Sequence, residues 1–118
     1  MSTLGELLVG AELEFVQFSK NSVCFLFTKC ENQKTLHYKL TTDGQVSSNK
    51  SDKRKSMLSK EVWPFFGLLV EAFVAIDTHE YEIHFSNRRK LILWDEDTRF
   101  PDFIVFRDLS NELWDFLP

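Results

Sequence analysis

Three short runs of this chain are apolar at consecutive positions: Val23-Cys24-Phe25-Leu26-Phe27, Leu91-Ile92-Leu93-Trp94 and Phe103-Ile104-Val105-Phe106. Runs of this kind suit β-strands covered on both faces. The residue sets that catalysis requires are missing around them, so the pattern points to a binding domain rather than an enzyme.

Alternation supplies the other strands. Ala11, Leu13 and Phe15 alternate with Glu12 and Glu14, and Leu36, Tyr38 and Leu40 alternate with His37 and Lys39. Ser19 to Ser22 reads as a turn, the stretch Glu31-Asn32-Gln33 as a polar loop, and Thr42-Asp43-Gly44 as a further turn. In the second half, Val74 and Ile76, then Tyr81, Ile83 and Phe85, then the runs ending at Trp94 and Phe106, give four more strands. The order Leu7-Leu8-Val9, Leu13, Phe15, Val23-x-Phe25-x-Phe27 is weakly echoed by Leu68-Leu69-Val70, Val74, Ile76, Tyr81-x-Ile83-x-Phe85. Two similar meanders on one core would produce such an echo.

Between the halves, Ser47 to Ser56 is polar and basic and reads as a connector. From Met57 to about Phe73 the apolar residues fall near helical spacing, with Ser59 as N-cap and with Pro64 and Gly67 as breaks. Leu109 to Leu117 has the pattern of a short amphipathic terminal helix. The expected fold is α+β and mainly antiparallel β. It has seven or eight strands in two packed or strongly curved sheets, with one short broken helix between the halves.

At 118 residues, 43% hydrophobic and 14% aromatic, the chain has the material for the core of a single domain over 1–118. Cys24, in an apolar strand, and Cys30, read as part of a polar loop, lie six apart and form neither a disulfide framework nor a metal spacing, which suits a reducing compartment. The start Met1-Ser2-Thr3-Leu4-Gly5-Glu6 has no basic leader, and no apolar run approaches the roughly 20 residues that cross a bilayer. The expectation is a cytoplasmic protein with no membrane partner.

Catalytic and cofactor chemistry finds few candidates. His37, His79 and His84 sit on or beside different strands, and alternation turns His37 and His84 toward solvent. The glycines are scattered, with no phosphate-binding loop, nucleophile elbow or two-cysteine zinc motif. The acidic run lacks the spacing of a calcium loop. No catalytic residue, metal or cofactor is assigned.

Charge separates the binding classes. Lys and Arg total 14 against 18 acidic residues, giving a net charge of -4, opposite in sign to a nucleic-acid footprint. The basic stretches Lys50 to Lys60 and Arg88-Arg89-Lys90 read as solvated turns. From Asp95 onward seven acidic residues face only Arg99 and Arg107. Asp95-Glu96-Asp97 follows directly on the strand ending at Trp94, either as an ordinary polar loop or as a patch for a basic partner. Trp94 and Trp63 are either core residues or anchors of such a contact.

The stretch Leu69-Val70-Glu71-Ala72-Phe73-Val74-Ala75-Ile76, then Tyr81 to Trp94 with Asp95-Glu96-Asp97, and the closing Phe103 to Phe106, resembles the immunity proteins of bacterial polymorphic toxin systems, including contact-dependent growth inhibition. The resemblance implies a cytosolic, non-enzymatic protein that binds and blocks one cognate toxin, commonly a basic nuclease. It brings no functional residues by motif. On charge and exposure alone, the partner contact is assigned to Asp95, Glu96, Asp97 and Asp102, with Trp94 as anchor. Two other functions fit the composition: a small-ligand-binding or regulatory module using an aromatic pocket, and a structural subunit of an assembly.

Overall fold

The alternation of the sequence is realised as two antiparallel sheets. The computed structural model describes residues 3–48, 57, 59–99, 102–109 and 113–114. One sheet is ordered β1 (Glu12–Phe18), β2 (Val23–Glu31), β3 (Lys34–Thr42), β8 (Ile104–Asp108) and β9 (Leu113–Trp114). The other is ordered β4 (Gln45–Ser47), β7 (Lys90–Trp94), β6 (Glu80–Phe85) and β5 (Val70–Asp77). Each sheet therefore contains one three-stranded meander, β1-β2-β3 or β5-β6-β7, plus strands contributed from elsewhere in the chain.

Period-2 geometry selects the core. Leu13, Phe25, Phe27, Tyr38, Leu40 and Phe106 point inward from the first sheet, and Val70, Tyr81, Ile83, Phe85, Leu91 and Leu93 from the second. Aromatic contacts fill the layer: Tyr38 stacks on Phe106 at 5.6 Å, and Tyr81 lies 6.2 Å from Phe103. Each fully buried Phe contributes about 1.5–3 kcal/mol relative to exposure.

The sheets are laced together along one edge. Gly10 N donates to Val70 O at 2.8 Å, Val70 N to Ala11 O at 2.7 Å, and Gly67 N to Leu13 O at 3.3 Å. A single bridge pairs Glu12 with Leu69. Leading into this seam is a helix absent from the sequence reading, α1 (Leu4–Leu8), with Leu4 and Leu8 fully buried one turn apart. Thr3 starts it: its hydroxyl accepts from Glu6 N at 3.2 Å and also contacts the Glu6 carboxylate. Gly10, at φ +89, turns the chain out of the helix and into β1.

Four local expectations are corrected. The helical pattern from Met57 to Phe73 resolves into one 3-10 helix, Ser59–Phe65, and the chain is already in β5 at Val70. Pro64 and Gly67 break the α-helix, and burial of Val62 and Phe65 with exposure of Trp63 and Phe66 follows the three-residue 3-10 period. Within the expected terminal helix, Leu113–Trp114 instead pairs with Arg107 and Asp108 of β8; residues 110–112 and 115–117 lie outside the described residues. Ser47, expected to open the connector, belongs to β4, while residues 49–56 of that connector lie outside the described residues. Cys30 lies in β2 rather than in a loop.

Coverage of the apolar runs on both faces holds only in part. Ile92, which points away from the core, is fully buried, whereas Leu26 is half-buried and Val105 is 40% exposed. Among the described residues, no helix is long and apolar enough to cross a membrane.

Candidate functional site

One end of the molecule carries an open cleft of about 840 Å³. Three pieces of chain meet there: the β1–β2 turn from Phe18 to Val23, the β3–β4 bend at Asp43 and Gly44, and the exit of β7 from Trp94 to Asp97. Each is fixed by its own local chemistry.

The turn closes where Ser19 N donates to Ser22 O at 2.8 Å, presenting Lys20 and Asn21 to the opening. At the bend, Thr42 is buried and its hydroxyl accepts from Gly44 N at 3.0 Å, while Asp43 N donates to Phe103 O at 3.1 Å. Gly44 packs directly against β7. A Cβ there would lie 2.7 Å from Trp94 O, closer than side-chain carbons approach other atoms, so no larger residue fits without movement. The close approach brings the exposed Asp43 carboxylate to the same opening as the β7 exit.

After β7 the chain turns through an Asx motif. The Asp95 carboxylate accepts from Asp97 N at 2.9 Å and Thr98 N at 3.1 Å, which satisfies backbone donors as the strand ends. His79, from the β5–β6 turn, holds this exit: its Nδ1 lies 3.0 Å from Asp95 O and 3.3 Å from Thr98 O. Carbonyl oxygens only accept, so Nδ1 carries the proton. Glu96 and Asp97 are left exposed on the cleft rim.

Asp43, Asp95, Glu96 and Asp97 thus line one cleft in which Lys20 is the only cation among the described lining residues. The half-buried Trp94 and the exposed Phe18 supply apolar surface beside them. The arrangement suits ammonium or guanidinium groups, which would pair with the carboxylates and pack on the ring faces. Among the described residues, no group of three or more His, Cys, Asp or Glu is arranged to hold a metal ion.

The structure gathers four of the five residues singled out from sequence: Trp94, Asp95, Glu96 and Asp97. Asp102 is exposed but is not part of the lining; its N–H donates to Arg99 O at 2.8 Å in a separate turn. Asp43 was missed. Its signal was present in Thr42-Asp43-Gly44, which reads as a turn, but only the bend of β3 into β4 places it opposite Asp95. Trp63, 73% exposed on the 3-10 helix, is neither a core residue nor part of the cleft. No family model, curated protein or solved structure matches the chain.

Proposed function

We propose that this protein works by binding, as an immunity protein that neutralises a cognate toxin by holding a basic segment of it in the acidic cleft. The observation that carries this reading is the convergence of Asp43, Asp95, Glu96 and Asp97 from two sequence-distant segments on one opening. Like charges placed together raise the local negative potential, which speeds encounter with a cationic partner and excludes anionic ones. Trp94 and Phe18 would give the affinity that exposed ion pairs alone do not. The proposed site of action is the cytoplasm of the cell being protected, and the reading assigns the chain no reaction of its own.

A small cationic ligand is the second reading, favoured by a volume inside the range of about 300–1,000 Å³ typical of small-molecule sites. Such a ligand would raise the melting temperature of the isolated chain in a saturable way.

The test is a growth competition. The gene is deleted and the mutant is grown in contact with its isogenic parent while the parent deploys its toxins. Loss of the mutant, reversed by returning the gene, is the expected result. Equal survival of mutant and parent would remove the immunity reading.

A further inference from the structure

The sheets end on edges of different character. In the second sheet, β4 is three residues long, and β5 is bulged near both ends and packed by α1, where a Cβ on Gly5 would lie 3.6 Å from the Phe73 Cβ and carbonyl oxygen. In the first sheet, β1 forms the edge opposite β9. Its first half is occupied: Leu13 N donates to Leu68 O at 3.4 Å, Leu13 O accepts from Gly67 N at 3.3 Å, and Glu12 bridges Leu69. A bulge follows between Leu13 and Phe15. Beyond it, Phe15-Val16-Gln17-Phe18 carries no charge, proline or glycine, with Phe15 51% and Phe18 38% exposed.

Hydrogen-bond phase shows what this edge offers. Ser19 N donates to Ser22 O, so residues 19 and 22 stand in the bonded phase of the ladder. Bonded and non-bonded pairs alternate along antiparallel strands. The pairs Phe18–Val23 and Val16–Phe25 are therefore non-bonded, and the N–H and C=O of Val16 and Phe18 point away from β2. Among the described residues, no strand pairs with β1 on that side beyond the bridge at Glu12. Val16 and Phe18 share the core-side face, because their partners lie in phase with the buried Phe25 and Phe27; Gln17 lies on the outer face.

We propose that this edge pairs with the same edge of a second copy, about a two-fold axis through Gln17, so that two first sheets join side by side. The register sets Val16 opposite Phe18 of the other copy, twice, giving four backbone hydrogen bonds, and sets Gln17 opposite itself. Faces match as well: the exposed Phe18 ring gains a core-side apolar neighbour in Val16 of the other copy. A two-fold also brings unlike charges together, since Glu14 at the bulge comes beside the turn carrying Lys20 of the other copy, once at each end. This self-complementarity selects a second copy as the occupant. The alternative face-matched register, centred on Val16, forms only the Val16 pair and sets Phe18 against Glu14. The contact is shorter than a standard interface of about 1,600 Å², so the dimer is reversible and concentration-dependent.

The test is sedimentation velocity of the full chain at rising concentration, with circular dichroism confirming the fold of each variant. The native chain is expected to pass from monomer to dimer. Gln17 is exposed, and Gln17→Lys or Gln17→Glu places like charges opposite each other across the axis; each should raise the dissociation constant about fivefold or more. An equimolar mixture of the two variants should dimerise at least as well as the native chain. A variant with the four cleft carboxylates converted to amides should dimerise undiminished, which separates the proposal from the cleft reading. A chain that stays monomeric throughout, a dimer indifferent to Gln17→Lys, a mixture no better than its components, or a dimer lost only in the cleft variant would each overturn the proposal.

Discussion

His79 and Asp95 hold each other twice: Asp95 N donates to His79 O at 2.9 Å, and the His79 Nδ1–H points back to Asp95 O at 3.0 Å. The β5–β6 turn is thereby tied to the exit of β7, and the acidic rim inherits its position from that clasp. Replacing His79 with Ala removes the side-chain half of it and leaves Asp95 O and Thr98 O to solvent. The expected loss is about 1 kcal/mol of stability by urea denaturation. Backbone amide exchange should rise selectively at residues 95–98, and exchange that stays unchanged there would show that the clasp does not order the rim.

The β2–β3 hairpin turns through Asn32 and Gln33, both at positive φ, 52 and 66. This is the type I′ geometry, in which glycine is preferred at the second position and Gln is strained. Gln33→Gly should therefore stabilise the fold by about 1 kcal/mol, the scale of the left-handed penalty for a residue with a Cβ. A higher urea midpoint with an unaltered slope is the expected signature.

Trp63 and Phe65 provide a contrast two residues apart. Trp63 is 73% exposed and meets Phe66 edge-on, whereas Phe65 is 2% exposed and packs edge-on against Phe85 at 5.3 Å. Trp63→Ser should change stability by no more than about 0.5 kcal/mol, and Phe65→Ala should cost about 3–5 kcal/mol. The reverse ranking in thermal melts would mean that the 3-10 helix presents its other face to the core.

Tyr38 and Tyr81 couple the stability of the fold to alkaline pH. Burial, then the charges of Asp108 and Glu31, raises the Tyr38 hydroxyl above its usual value of 10.0; burial, then Asp77, raises that of Tyr81. In the folded state both stay protonated where the unfolded chain has begun to ionise. Their contribution to stability is therefore fully present below pH 10 and is lost as pH rises through the raised folded values. Melting temperatures recorded from pH 8 to 11 should fall above pH 10, and less steeply in Tyr38→Phe/Tyr81→Phe. Identical slopes would assign the alkaline loss to other groups.

Much of this architecture was legible because alternation is a local signal. Leu36, Tyr38 and Leu40, or Tyr81, Ile83 and Phe85, define an inward face whatever their partners are. The 3-10 helix was misread because Val62, Phe65, Phe66, Leu69 and Val70 approximate an α-helical stripe; Pro64 and the backbone of Gly67 override it. The capping pair Thr3 and Glu6 did announce α1, but a five-residue helix offers little periodicity to reinforce the signal. Leu26 and Val105 look like buried strand residues in sequence, since nothing local reveals whether a second layer covers a sheet face. For the site, Trp94 to Asp97 stood out as one acidic run. Asp43 did not, because its proximity to Asp95 is made by tertiary packing across Gly44.

The most direct test of the central claim is complementation of the deletion mutant in competition with its parent, using either the native gene or a cleft variant. The variant carries Asp43→Asn, Asp95→Asn, Glu96→Gln and Asp97→Asn; asparagine at 95 retains an oxygen that can accept from the Asp97 and Thr98 amides. With both proteins at equal cellular levels, the native gene should restore survival and the variant should not. Full protection by the variant would contradict the assignment of toxin binding to the acidic cleft.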